Sequence, residues 1–387
     1  MTSTRKTNPV LLIALLLGLA SIHAWAVDEP LWSWHEAHTE IYSPNFSKSG
    51  EEIALVRKKH TADFHEAEEL PESEKKKLSD PIKKNERYAD PEVVILKIGN
   101  NEAARVDWGW SPAFSPDGQQ VVYAYQKKPI SRLRVLAENL AGNDIRLFRR
   151  DTKAISVLAT PASAYFSDPI FAPDGKHVVY SLSGATNGDW GGNIGIARVA
   201  SDGTGNEILY PATKDFELYH LIDSKQYVGD RLFAMRSKPT SGGVHMAESY
   251  LNELLDVGPP TKPVYTWPTE KGSEEPMTFS SDAKGEVLVY DGGWHPITAA
   301  KSDRKPATED ETPGVPSPDG RLLARVGDEG LEILEFETQK VVKTIKVRGG
   351  IESIKWSPDS RRLAVVTTRY REGTEIFDHD EIAVFGL

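Results

Sequence analysis

Cysteine is absent from all 387 residues. That excludes a disulfide scaffold, a thiol nucleophile, a thiolate zinc site and a lipid-modified N-terminal Cys. Long apolar runs are scarce as well: a single one, close to the N-terminus, rules out a polytopic membrane protein. Positive charge is in deficit, with 46 Lys and Arg against 57 Asp and Glu and a formal net charge of −11. With no basic block to neutralise phosphates, nucleic acid is not an expected partner. No G-x-S-x-G string supplies a serine nucleophile elbow. What remains is ordinary: 39% hydrophobic and 27% charged residues describe a globular chain, long enough for one large or two medium domains.

The N-terminal run reads as an export signal. Arg5 and Lys6 precede an apolar core from Val10 to Ala20, and Ala24-Trp25-Ala26 forms a small-x-small ending. Residues 1–26 are therefore expected to be a cleaved signal peptide. Their removal takes away two basic and no acidic side chains, leaving 361 residues at −13. The mature chain is expected to be periplasmic, with no stable membrane span.

A repeat organises the rest. Phe114-Ser-Pro-Asp-Gly118 recurs as FAPDG at Phe171–Gly175, PSPDG at Pro316–Gly320 and WSPDS at Trp356–Ser360, with weaker copies at Phe46–Gly50 and Phe279–Ala283. Proline presets one turn corner, aspartate bonds back to nearby amides and glycine takes the left-handed position, so each copy is a tight reversal. A β-rich run follows each copy. Steps between anchors are 68, 57, 108, 37 and 40 residues, and the step of 108 reads as two units with a degenerate anchor near Leu221–Lys225. Six intervals over 310 residues average about 52, the size of a four-stranded propeller blade with its loops. The expected fold is all-β, a single β-propeller of four-stranded blades over residues 27–387, seven blades ahead of six. The last copy has only three strands before the chain stops, so Pro30–Thr39 is expected to supply the fourth and close the ring. Residues 58–90 interrupt the rhythm with dense mixed charge and read as a solvated insertion in the first blade.

These aromatic-SPDG blades, quoted above, resemble those of the TolB-like propeller family, whose repeats are similar to WD repeats. The resemblance runs from about Ile41 to Leu387. It does not extend to the smaller α/β domain that precedes the propeller of TolB itself. It implies a periplasmic propeller; with no recognisable nucleophile, metal motif or phosphate loop, the leading reading is an exported, non-enzymatic module, without catalytic residues, that binds another envelope protein or peptide. The same blade type occurs in oligogalacturonate lyases and beside the hydrolase domain of prolyl oligopeptidase-type peptidases.

Three turns place Trp beside Gly and Asp: Asp107-Trp108-Gly109-Trp110, Asp189-Trp190-Gly191 and Asp291-Gly292-Gly293-Trp294-His295. An exposed indole is a flat apolar platform with one donor, and it suits a peptide or a carbohydrate. Trp108, Trp110, Trp190, Trp294 and His295 are accordingly the candidate ligand-binding residues, against the alternative that these indoles pack between blades. Under a second reading, a metal-assisted polysaccharide lyase or hydrolase, His220, His245 and His295 would converge in the funnel on a divalent metal. The first reading expects no cofactor. His35-Glu36-Ala37-His38 is one residue short of the helical zinc motif H-E-x-x-H and is flanked by strand-forming residues, so it is not counted as a metal site.

Overall fold

A computed structural model describes residues 29–59, 91–125, 144–160, 164–184, 194–210, 225–239, 249–270, 278–282, 284–290, 293–299, 313–372 and 377–387. The expected signal segment and nearly all of the charged insertion lie outside the described residues. So do Trp190, His220 and His245.

Every described element is a strand. The N-terminal strand β1 (Trp32–His35) stands apart from its successors. Blade I holds β2 (Thr39–Phe46), β3 (Glu52–Lys59), β4 (Glu92–Lys97) and β5 (Ala103–Trp108). Blade II holds β6 (Trp110–Phe114), β7 (Gln120–Ala124), β8 (Ile145–Arg149) and β9 (Ile155–Ala159). Blade III follows with β10 (Ala164–Phe171), β11 (His177–Gly184), β12 (Ile194–Ala200) and β13 (Glu207–Tyr210). Blade IV has β14 (Lys225–Val228), β15 (Arg231–Pro239), β16 (Ser249–Asp256) and β17 (Lys262–Glu270). Blade V shows three strands among the described residues, β18 (Thr278–Ser281), β19 (Val287–Tyr290) and β20 (Trp294–Pro296). Blade VI is β21 (Val315–Pro316), β22 (Leu322–Gly327), β23 (Gly330–Glu335) and β24 (Val341–Ile345). Blade VII adds β25 (Gly350–Trp356), β26 (Arg362–Tyr370) and β27 (Phe377–Gly386). All pairings within the sheets are antiparallel, and the seven sheets form a ring: a seven-bladed β-propeller.

Closure comes from the N-terminal strand, as the strand count requires. β1 is the outer strand of blade VII, with Trp32 opposite Val384 and Trp34 opposite Ile382. Both indoles are buried, in one cluster with Ile41 and Phe46 of blade I and Val366 of blade VII. Elsewhere the aromatic anchors wedge against the preceding blade. Phe114 packs with Ala54 and Ile95, Phe171 with Leu147, Phe279 with Met235, and Trp356 with Ile333. Each such side chain removed from water is worth roughly 1.5–3 kcal/mol, so the ring is held blade to blade by its own repeat.

Turn chemistry follows the motif. Ser115 Oγ donates to Asp117 Oδ1 at 2.5 Å and accepts the Gln120 N–H at 2.9 Å, while Gly118 N donates to the Ser115 carbonyl at 2.8 Å. Ser317 with Asp319 and Ser357 with Asp359 repeat this arrangement. The serine hydroxyls hold Asp117 and Asp359 below the usual carboxylate range. In blade IV the reversal between β14 and β15 is Gly229-Asp230, while residues 221–224 of the expected degenerate anchor lie outside the described residues. A two-residue hairpin replaces the SPDG loop there, with Val228 opposite Arg231 and Gly229 at φ +58°. Neighbouring turns are tied together: Arg362 donates to the Gly50 carbonyl, Arg150 reaches Glu52 at 2.6 Å, and Asp319 N donates to Ser360 Oγ at 3.0 Å. Ser357 is wholly buried. Its replacement by alanine strips Asp359 of a donor and the Arg362 N–H of an acceptor, and is expected to cost about 1–3 kcal/mol in urea unfolding. An unchanged urea midpoint would mean that the turn carries no stability.

Candidate functional site

First strands of adjacent blades touch one another, β2 with β6 and with β25, and β6 with β10, which puts them at the hub of the ring. They run toward the SPDG-type turns. The opposite end, here called the mouth, therefore collects the starts of first and third strands and the ends of second and fourth strands. Among the described candidates, Trp108, Trp110, Trp294 and His295 all lie at the mouth.

Their surroundings differ. Trp294 is held in place: its indole N–H donates to the Pro313 carbonyl at 2.6 Å, and its ring lies 5.6 Å from that of Tyr290 and 6.2 Å from that of Phe336 in blade VI. His295 Nε2 lies 2.8 Å from the Tyr265 hydroxyl, and Nδ1 lies 3.0 Å from the Gly293 carbonyl. Trp108 lies under the Arg105 guanidinium, 4.4 Å from the ring centre. Gly109 lets strands pack closely, since a Cβ there would stand 2.5 Å from the Ala124 carbonyl oxygen. Asp107 of the same turn accepts from Tyr123 at 2.8 Å and pairs with Arg146 at 3.0 Å. Trp110 faces the hub, edge to face with Tyr42 at 5.5 Å.

Tyr42 leads to a cavity that no motif signals. About 300 Å³ of space opens between blades I and VII, lined by Glu40, Tyr42 and Ser43 of β2, Glu352 and Ser353 of β25, Thr368 of β26, and Phe377 and Asp380 of β27. Asp380 is 5% exposed. Its Oδ2 accepts the Ile41 N–H at 2.8 Å, joining the last blade to the first. The Thr368 hydroxyl lies 2.8 Å from Asp380 Oδ1 and 2.9 Å from Glu352 Oε1. Burial, with the added repulsion of Glu352 and Glu40, pushes the Asp380 carboxyl above its ordinary value. Glu40 is balanced by Lys58 Nζ at 3.1 Å. Near the rim the rings of His35 and His379 stack at 4.6 Å, with His379 Nδ1 2.8 Å from Asp378. Among the described residues no group of three or more His, Asp or Glu is arranged to hold a metal ion.

Sequence reasoning missed this cavity because its walls lie more than 300 residues apart along the chain. One local signal was available. Asp378-His379-Asp380 interrupts a strand whose continuation, Ile382–Phe385, is apolar and buried. Charge on a strand that packs against the neighbouring blade calls for a reason.

The class of protein is set by this architecture: a seven-bladed β-propeller. One known structure with a TM-score above 0.5 agrees on the fold. The β-propeller domain of Cps50 (Swd1) from Myceliophteria thermophila gives a TM-score of 0.51 at 13% identity, over 91% of this chain and 98% of that one. The acylaminoacyl peptidase of Pyrococcus horikoshii gives 0.49 at 11%, covering 88% of this chain and 50% of the peptidase, so this chain spans about half its length. An oligogalacturonate lyase in complex with manganese gives 0.38 at 9%, over 91% and 90%. Identities this low speak for the fold alone. No protein-family model and no curated protein matches the sequence. No described helix is long and apolar enough to cross a membrane.

Proposed function

We propose that this propeller is an exported, TolB-like, non-enzymatic module of the cell envelope that binds a protein or peptide at its mouth. The observation that carries the reading is the hub-side patch where Trp110 and the 38%-exposed Tyr42 stand beside the cavity between blades I and VII. A rigid ring presenting aromatic groups next to a few polar ones is the make-up of a binding hot spot. Export and the TolB-like relationship are supported by the N-terminal run and the aromatic-SPDG repeats.

The test is capture from an envelope fraction by the immobilised mature chain and by a Tyr42→Ala, Trp110→Ala double variant. A partner held by the wild type and lost by the variant supports the reading. Equal capture by both removes this face from it. Stoichiometric divalent metal in the purified protein, or turnover of a polyuronate, would overturn the non-enzymatic part.

A further inference from the structure

Three features of the cavity act together. First, its charge is uneven. Glu40 is balanced by Lys58, whereas exposed Glu352 and buried Asp380 face each other with only the Thr368 hydroxyl between them. That hydroxyl carries one hydrogen and stands within bonding distance of an oxygen of each. While both are ionised it can donate to only one of them at a time, so one of the two oxygens is left to accept from whatever enters the cavity. Second, the Ser353 hydroxyl oxygen, on the same wall, is shut off from solvent and has no hydrogen-bond partner among the described residues. Third, Tyr42 and Phe377 supply aromatic wall, the surface a desolvated cation favours. At about 300 Å³ the space is at the small end for ligand pockets, enough for one side chain and too small for an oligosaccharide.

From this geometry we infer that the cavity is a receptor for a single cationic side chain, lysine or arginine, presented by a peptide segment of the partner. The ammonium or guanidinium donates to Glu352 and Asp380 while its alkyl stem lies against Tyr42 and Phe377. The net charge of −11 favours encounter with a basic segment over long range. This inference deepens the reading above and rests on it.

The probes are the capped tripeptides acetyl-Ala-Lys-Ala-amide, its arginine analogue, and the norleucine and glutamate controls, titrated calorimetrically into the mature protein at low salt. Expected is saturable binding of the lysine or arginine peptide, none of norleucine or glutamate, and at least roughly tenfold weakening in Glu352→Gln. Glu352 lies on the surface, so this variant keeps the fold; its circular dichroism should match the wild type and its urea midpoint should not fall below it. Thr368→Val, which removes the shared hydrogen, should retain cation binding. The inference is overturned if norleucine binds as well as lysine, if Glu352→Gln leaves the affinity unchanged, or if no cationic peptide saturates by about 10 mM, where even single-side-chain contacts register. A partner captured with equal strength by Glu352→Gln sinks this inference and leaves the binding reading standing. Absence of any partner sinks the reading itself.

Discussion

Replacing Trp34 with alanine is expected to destabilise the folded chain by about 3–5 kcal/mol, the usual cost of deleting a large aromatic side chain from a packed interior. Trp34 is 6% exposed and belongs to the cluster that joins β1, β27 and the first strand of blade I. Removing it weakens two interfaces at once, the sheet edge of blade VII and the seam with blade I. The residual void adds to the lost transfer energy, because a seam clamped by backbone pairing from both sides cannot collapse. Urea unfolding followed by far-UV circular dichroism measures the effect without using the indole as reporter. Leu31→Ala is the control: that side chain is 65% exposed beside the same strand and should cost under about 0.5 kcal/mol. A Trp34→Ala loss below about 1 kcal/mol would mean that the ring does not depend on its N-terminal strand.

The second large effect is a pH dependence centred on Asp380. Its pKa is raised in the folded state above the ordinary 3.8, through burial first and the charges of Glu352 and Glu40 after it. The folded protein thus keeps this proton at pH values where the unfolded chain has released it. For this group, stability is whole below about pH 3.8 and is lost as pH rises through the elevated folded value. The opposite holds for Asp117 and Asp359 in the turns, whose lowered values add stability that disappears in acid. Asp380→Asn keeps an acceptor for the Ile41 N–H and removes the charge. It is expected to flatten the decline of stability as pH rises above about 3.8 and to equal or exceed the wild type at neutral pH. Asp380→Ala leaves the Ile41 N–H without its acceptor and should lose about 1–3 kcal/mol at every pH. Urea midpoints for the three proteins at a series of pH values decide the matter. If Asp380→Asn retains the wild-type slope, the carboxyl is not the group responsible.

Much of the fold was legible because propeller blades write themselves into the chain. A tight turn needs Pro, Asp and Gly in fixed order, and the anchor before it must be large and apolar to fill the seam. Phe46, Phe114, Phe171, Phe279 and Trp356 therefore mark five of the seven first strands, and Pro316 marks a sixth. Blade IV escaped the pattern, since a Gly229-Asp230 hairpin needs neither serine nor proline. Closure was legible by counting strands. The cavity was not, because Glu40 and Asp380 are 340 positions apart and nothing in either neighbourhood refers to the other. Composition could propose indoles beside glycines as candidates. Only in the folded ring is the Trp294 N–H occupied by the Pro313 carbonyl while Trp110 stands against Tyr42 near the cavity.

The shared outer blade has a practical consequence for anything attached to the molecule. Leu31 N bonds the Val384 carbonyl at 2.7 Å, and Leu387 N bonds the Arg361 carbonyl beside the last reversal. Both ends of the described chain therefore emerge side by side, away from the mouth. A tether, reporter or surface linkage joined at either end would hold the ring with its open face outward, whereas one grafted into a mouth loop would obstruct it.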